Sequence, residues 1–312
     1  MKNLLLFASL LIVTACSNGN SKSSQQNAAE SNTENQELKK EAKETPLFDF
    51  GISNTVGSKF LLYPSVDDEM TLEQQKARIS ELEKFQYAIC NGKVYPIKFS
   101  GYQKENEEKT TLRDTPDNFD NMEGLIYENT EGRILPPDAD EDECVFESIL
   151  FVNQAYLDEN KLVPFKSFFE KEADNETVNL LEKQYKRKIL RAEKVATFGE
   201  NDQNAFISAQ FVTKAKDALG AYMVRLENGQ NAFLDFPRTN IEDSFSVWNV
   251  DDEGIFNSPS LVAVFKSEKN YIFVVQKYSP ESVNTYFIRF QDNKLIAADD
   301  DEDVYYRYIA PI

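Results

Sequence analysis

The sequence predicts an α+β protein rich in antiparallel sheet, whose C-terminal half is mostly β, as a sandwich, barrel or meander. Asn91-Gly92 and Asn228-Gly229 each sit between apolar stretches, which is the strongest short-range sign of a hairpin. Beyond residue 200, short apolar runs follow one another with turn residues between most of them. Helical periodicity is confined to two stretches before residue 195, so the class is mixed rather than all-β.

The first 15 residues carry one basic side chain, Lys2, then the apolar run Leu4 to Val13, then the small residues Thr14 and Ala15 before Cys16. This is the layout of a secretory signal peptide. The apolar run falls well short of the roughly 20 residues that a membrane-spanning helix needs. Val13, Thr14, Ala15 and Cys16 resemble the lipobox of bacterial lipoproteins, and the resemblance covers residues 1–16 only. It implies diacylation of the Cys16 thiol, cleavage before it, and acylation of the new amino terminus. Two or three acyl chains anchor durably where one binds marginally. In that family an aspartate after the cysteine often implies inner-membrane retention. Ser17 stands here, which points to the outer membrane and leaves the face open.

From Ser17 to Pro46 the residues are Ser, Asn, Gln, Glu, Lys and Ala with almost no large apolar side chain except Leu38. Such a stretch buries too little surface to offset its ordering entropy. Residues 16–46 are therefore expected to be the lipidated cysteine and a disordered tether, spanning about 30 Å as a coil and about 100 Å when stretched. Two halves follow, residues 47–190 as α+β and residues 191–312 as antiparallel β.

In the first half, Thr71 and Gln74 fit a capping box ahead of Leu72, Ile79, Leu82 and Phe85, so a helix is expected over about 71–84. The Asn91-Gly92 hairpin spans 85–99, and "GLIYEN" and "VFESILFV" read as weaker strands. "ETVNLLEKQYKRKILRAEK", residues 176–194, reads as a second helix capped by Asp174 or Asn175. In the second half "AFISAQFVTK", "AYMVRLE", "NAFLDF", "FSVWNV", "SLVAVFKS", "NYIFVVQKY", "NTYFIRFQ" and "VYYRYIA" read as strands. "YIFVVQ" is apolar on both faces and should be central in its sheet.

Composition removes many functions. The chain has 53 acidic and 34 basic residues, and loss of residues 1–15 removes Lys2 only, leaving 53 against 33, or −20. So acidic a surface repels nucleic acid. There is no histidine, which excludes His-dependent triads and His-ligated zinc. No Gly-rich phosphate loop is present, and no cofactor is expected. With Cys16 lipidated, Cys90 and Cys144 remain. They are compatible with one disulfide closing a loop of about 54 residues, worth roughly 4 kcal/mol in the chain-entropy model, or with two reduced thiols packed as small hydrophobes.

Carboxylates are the remaining chemistry. A pair of them in an aromatic-lined cleft, one with a raised pKa, would make a carbohydrate-active hydrolase. Three acidic stretches invite calcium. Asn249, Asp251, Glu253 and Gly254 begin like an EF-hand loop, but Ser260 holds the twelfth position where a bidentate Glu is needed, while residues 138–143 and 299–303 lack the sixth-position glycine. No metal site of that type is expected. Trp248 and the tyrosines of "VYYRYIA" could line a sugar or peptide surface or simply pack the sheet. The sequence thus predicts a lipid-anchored envelope protein with a binding, structural or assembly role, whose partners are the membrane and envelope proteins or glycans. A carboxylate hydrolase and a calcium-dependent adhesion module are the alternatives.

Overall fold

The computed structural model describes residues 44–63, 71–135, 148–215, 217–238, 256–268, 270–279, 281–298 and 304–309. Every ladder between the named strands is antiparallel. The chain is strand-rich with few helices, as its α+β pattern predicts.

Six strands form a closed barrel: β1 (Phe48–Ser53), β2 (Lys59–Leu62), β3 (Tyr87–Cys90), β4 (Lys93–Gln103), β5 (Gly124–Asn129) and β6 (Ile149–Val152), in the order β1-β2-β5-β4-β3-β6. Asn91 and Gly92, with φ of 46° and 71°, make the two-residue turn that joins β3 to β4. β4 pairs with β3 through Lys93–Pro96 and with β5 from Ile97 onward, and a bulge between Phe99 and Gly101 lies within the second ladder. Gly51 is required in β1, because a Cβ there would lie 2.2 Å from the Leu61 carbonyl oxygen and 2.6 Å from the Phe151 ring.

The barrel is filled rather than hollow. Phe60, Tyr127, Ile149 and Phe151 pack inside it with Leu82 and Phe85 from α1 (Leu72–Leu82) and the residues after it. The helix begins with the expected box, Thr71 Oγ1 accepting from Gln74 N–H and the Gln74 side chain accepting from Thr71 N–H. The Tyr127 hydroxyl donates to the Leu82 carbonyl, fastening the helix end to the barrel.

Two further sheets stack beyond the barrel. The middle sheet has the order β16 (Lys294–Ala297), β15 (Ser282–Gln291), β14 (Asn270–Tyr278), β13 (Ser260–Ser267) and β7 (Lys161–Leu162), with β17 (Val304–Tyr308) also on β15. The outer sheet runs β12 (Asn231–Arg238), β11 (Ala218–Arg225), β10 (Asn204–Phe211), β9 (Ile189–Phe198) and β8 (Phe165–Ser167). Phe273 and Val275 of β14 join Phe198, Phe206, Tyr222 and Val224 of the outer sheet in one core. Val274, from the opposite face of β14, packs with Phe50, Leu150 and Val152 on the outside of the barrel. The strand predicted to be central therefore lies between β15 and β13 in this six-stranded sheet, covered on both sides.

The outermost faces are closed by short elements. α3 (Asn175–Tyr185) lays Leu181, Val178 and Tyr185 over the outer sheet against Ile207, Phe211 and Met223. Phe119 and Met122, from a 3-10 turn at Pro116–Asn121 and its cap, cover Ile52, Leu61 and Ile126. α2 (Gln154–Glu159), capped by Asn153, links the barrel to β7 and β8, which pair with β13 and β9.

Polar fastenings hold the barrel to the middle sheet. Ser148 N–H donates to Gln276 Oε1 at 2.6 Å, and the Thr285 hydroxyl donates to Ser148 Oγ, all three residues being buried. Asp114, in the barrel's 104–123 loop, makes two bonds with the Tyr308 backbone: its N–H donates to the Tyr308 carbonyl at 2.8 Å and its Oδ2 accepts the Tyr308 N–H at 2.9 Å. Tyr63 donates to the other carboxylate oxygen at 2.9 Å.

One helix ends earlier than the sequence suggests. Lys186 takes the left-handed conformation, φ 49° and ψ 40°, and the chain turns back into β9 at Ile189. Glu182 fixes the turn by accepting from Ile189 N–H at 3.1 Å and from Lys188 Nζ at 2.7 Å. The basic run 186–188 thus ends the helix, and "ILRAEK" is strand because its backbone pairs with β10. The Asn228-Gly229 hairpin also differs in detail. Only Gly229 takes a positive φ, 84°, and Gly229 N–H bonds the Leu226 carbonyl while Leu226 N–H bonds the Gln230 carbonyl, a turn with a bulge.

Asp49 faces Arg78 of α1, Oδ2 to Nη2 at 3.1 Å, with Phe50 N–H on Oδ1 at 2.7 Å. Burial nonetheless outweighs both, and pushes the carboxyl from 3.8 up to about 6. The folded state therefore binds more protons than the unfolded chain between about pH 4 and pH 6, and this group's contribution to stability falls as pH rises through that window. Asp49→Asn should flatten that part of the profile of thermal unfolding against pH, whereas Arg78→Gln, which removes the countercharge, should steepen it.

Candidate functional site

Strands β9 to β12 and β13 to β16 each run antiparallel in chain order, so within each set the odd-to-even connections fall at the same end. The turns β9–β10 (199–203), β11–β12 (226–230), β13–β14 and β15–β16 (292–293) therefore meet at one tip of the sandwich, two from each sheet. Positive φ values mark them: Gly199 96°, Asp202 54°, Gly229 84°, Glu268 48°, Asp292 51° and Asn293 61°. Asp292-Asn293 with both angles positive is the two-residue hairpin turn that matches strand twist.

Between these turns lies a groove of about 740 Å³, continued by a second lobe of about 350 Å³. Asn204, Glu227, Lys266 and Tyr271 line both lobes. Tyr271 is the aromatic wall, with the buried Phe290 behind it. Tyr271 packs edge-on against Phe198 at 5.3 Å and against Phe290 at 6.4 Å, so its ring is set by the sandwich core. Lys266 Nζ lies 5.5 Å from the centroid of the same ring.

The polar walls are braced. Asn204, buried at the start of β10, donates to the Phe198 carbonyl at 3.0 Å and accepts from Glu227 N–H at 2.9 Å, tying two turns of the outer sheet together. Gln230 Nε2 donates to Asn293 Oδ1 at 2.8 Å, which bridges the outer sheet to the middle sheet across the groove. Asn228 holds the Gln230 side in place through Nδ2 to Oε1 at 2.6 Å and accepts Gln230 N–H at 3.0 Å. Amide side chains fixed in this way can present both a donor and an acceptor to a ligand without first being ordered.

The residues singled out in the sequence fall elsewhere or outside the description. Cys90 is fully buried inside the barrel and is disulfide-bonded. Cys16 and Cys144 lie outside the described residues, as do Trp248, the loop Asn249, Asp251, Glu253 and Gly254, and the acidic stretches 138–143 and 299–303. Ser260 opens β13. Tyr305 stacks on Phe50 at 5.8 Å and belongs to the core, whereas Tyr306 is 57% exposed on β17. Among the described residues, no group of three His, Cys, Asp or Glu side chains is placed to hold a metal, and no helix is long and apolar enough to cross a membrane. The described carboxylate that burial raises, Asp49, faces a guanidinium rather than a second carboxylate.

A buried lysine was not read from the sequence. Lys277 is 8% exposed, and its Nζ lies 4.8 Å from the Phe256 centroid and 5.4 Å from Phe236. Burial brings it from 10.5 down to about 8. Phe256 itself rests on Gly220, whose missing Cβ leaves the room for the ring.

No family model matches the chain, and no curated protein or solved structure matches it.

The lowered lysine binds fewer protons in the fold than in the unfolded chain between about pH 8 and pH 10.5. Its contribution therefore improves as pH rises through that window and is unfavourable below it. Lys277→Met, which keeps the length and removes the charge, should stabilise the protein at pH 7 by about 2 kcal/mol in urea unfolding and should abolish the alkaline gain.

Proposed function

We propose that the protein is a lipid-anchored component of the bacterial cell envelope that binds a ligand in the groove at the tip of its sandwich. Cys16 carries the acyl chains, residues 16–46 are the tether, and the outer membrane is the anchoring site that Ser17 favours. The observation that carries the binding reading is the Gln230 to Asn293 bridge across a groove walled by four hairpin turns. Loop ends held by a rigid sheet scaffold are where binding residues concentrate, and cross-bracing lowers the ordering cost of binding.

The hydrolase reading needs facing carboxylates with one raised, and the raised carboxyl of the described residues is held at 3.1 Å by Arg78 at the barrel. The geometry therefore favours binding over that chemistry. The acidity of the chain, −19 overall, supports the same assignment by keeping nucleic acid and other polyanions away.

Two measurements test the assignment. Cys16→Ser should abolish incorporation of labelled palmitate and release the chain from the membrane fraction, and a variant that stays lipid-labelled would remove the anchor from this reading. A photo-crosslinking residue at Asn228 should capture envelope material in intact cells, while one at Glu73 on α1 should not; the reverse pattern would move the site off the groove.

The disulfide belongs to the same proposal. If Cys16 carries lipid, Cys144 is the partner of Cys90. Thiol trapping of the mature protein under denaturing conditions should label no cysteine before reduction and two after it. Two labelled cysteines before reduction would refute the pairing.

A further inference from the structure

We propose that the ligand of the groove is an uncharged oligosaccharide, an inference that rests on the groove being the binding site. Three features of the lining select this chemistry. The first is charge: among the described residues of the main lobe, Glu227, Glu268 and Asp292 stand against Lys266. Anionic ligands are therefore disfavoured, and an uncharged one meets acceptors for its hydroxyls.

The second feature is the pairing of donors with acceptors. Asn228, Gln230, Asn270 and Asn293 are amides, and beyond the bonds that join three of them each keeps at least one N–H and one carbonyl lone pair. A sugar hydroxyl both donates and accepts, so one amide can satisfy it in both senses. An extended peptide asks instead for a strand edge along which to exchange backbone bonds. The walls here are turns, and the bond from Gln230 to Asn293 crosses between them.

The third feature is the aromatic wall. Tyr271, half-buried and backed by the buried Phe290, gives an apolar surface to the C–H face of a sugar ring, with polar groups on either side. The lysine near Tyr271 is exposed and long, so a ring approaching that face displaces a flexible stem and no rigid element. Each lobe has a volume in the range of small-ligand sites.

The experiment is isothermal titration of the full mature chain in detergent micelles. The probes are uncharged tetramers of β-1,4-linked N-acetylglucosamine, β-1,4-linked glucose and α-1,4-linked glucose, an anionic galacturonate tetramer, and an uncharged eight-residue peptide. At least one uncharged tetramer should bind at millimolar concentration or below, at least about tenfold more tightly than the galacturonate. Tyr271→Ala should weaken it by at least about tenfold. Because Tyr271 also packs the core, Asn270→Ala is made alongside, and should weaken binding about fivefold with an unchanged melting temperature. If no uncharged sugar binds, or if binding is indifferent to Asn270→Ala, the proposal is overturned. If the peptide binds instead and Asn270→Ala abolishes it, the sugar class fails while the groove stands; if the galacturonate does so, the uncharged character fails while the groove stands. If the crosslinks of the previous section also map away from the groove, both readings fail together.

Discussion

The middle sheet is apolar on both faces, and the rest of the architecture follows from that constraint. In β14 the residues alternate between two cores: Phe273 and Val275 to one side, Val274 to the other. Such a strand cannot lie at a surface, so the sheet must be covered twice. The outer sheet is one cover and the outside of the barrel is the other. Each cover then presents a second apolar face of its own, and these are closed by α3, by the 3-10 turn and by the barrel curling around its own interior. The buried Ser148, Gln276 and Thr285 network sits at the junction of barrel and middle sheet. Fully paired polar groups in that position specify which faces meet, where apolar contact alone would tolerate sliding.

The parts of this fold that the sequence announces are those governed by local chemistry. A capping box at Thr71, a cap at Asp174 and the positive φ of Asn91 and Gly92 depend only on neighbours within a few residues, and all three are present. The two-sided strand β14 is legible for the same reason, its composition being incompatible with exposure. What was not legible depends on partners distant in the chain. β1 contains Gly51 and the charged Asp49, which suit a strand only because Leu61, Phe151 and Arg78 are brought against them. "ILRAEK" continues a helical pattern on paper, and pairing with β10 overrides it. β7 and β16, with two and four residues, are too short to show a period.

The candidate site was less legible than the fold, and for a physical reason. Its residues are Asn, Gln, Asp, Glu and Gly in tight turns, which are the residues that turns require whether or not they bind anything. Each turn read alone is a connector. Only the meander topology of two stacked sheets, which gathers odd-to-even turns at one tip, makes them a set. The signals that stand out in sequence, a single tryptophan and clustered carboxylates, attract attention because of composition, and composition does not report adjacency. Lys277 is the opposite case. It reads as one polar residue in an apolar run, and only packing against Phe236 and Phe256 gives it an environment worth noting.

A barrel invites the idea of a ligand held inside it, and here the interior argues against that. Barrel diameter grows with strand number, and even eight strands leave an interior that side chains can fill. This one has six, and Phe60, Tyr127 and Phe151 occupy the space together with Leu82 and Phe85. The Tyr127 hydroxyl bonded to the end of α1 locks the contents in place. Emptying such a core to admit a ligand would cost several kcal/mol for each large side chain displaced. The interior of the sandwich is closed in the same way by Phe198, Phe206, Phe256 and Phe273. The binding proposed for this protein therefore falls to the surface, where a braced concavity between turns offers fixed polar groups beside Tyr271. The barrel's part is to cover the middle sheet from behind, so that the sheet can hold its turns rigid at the tip.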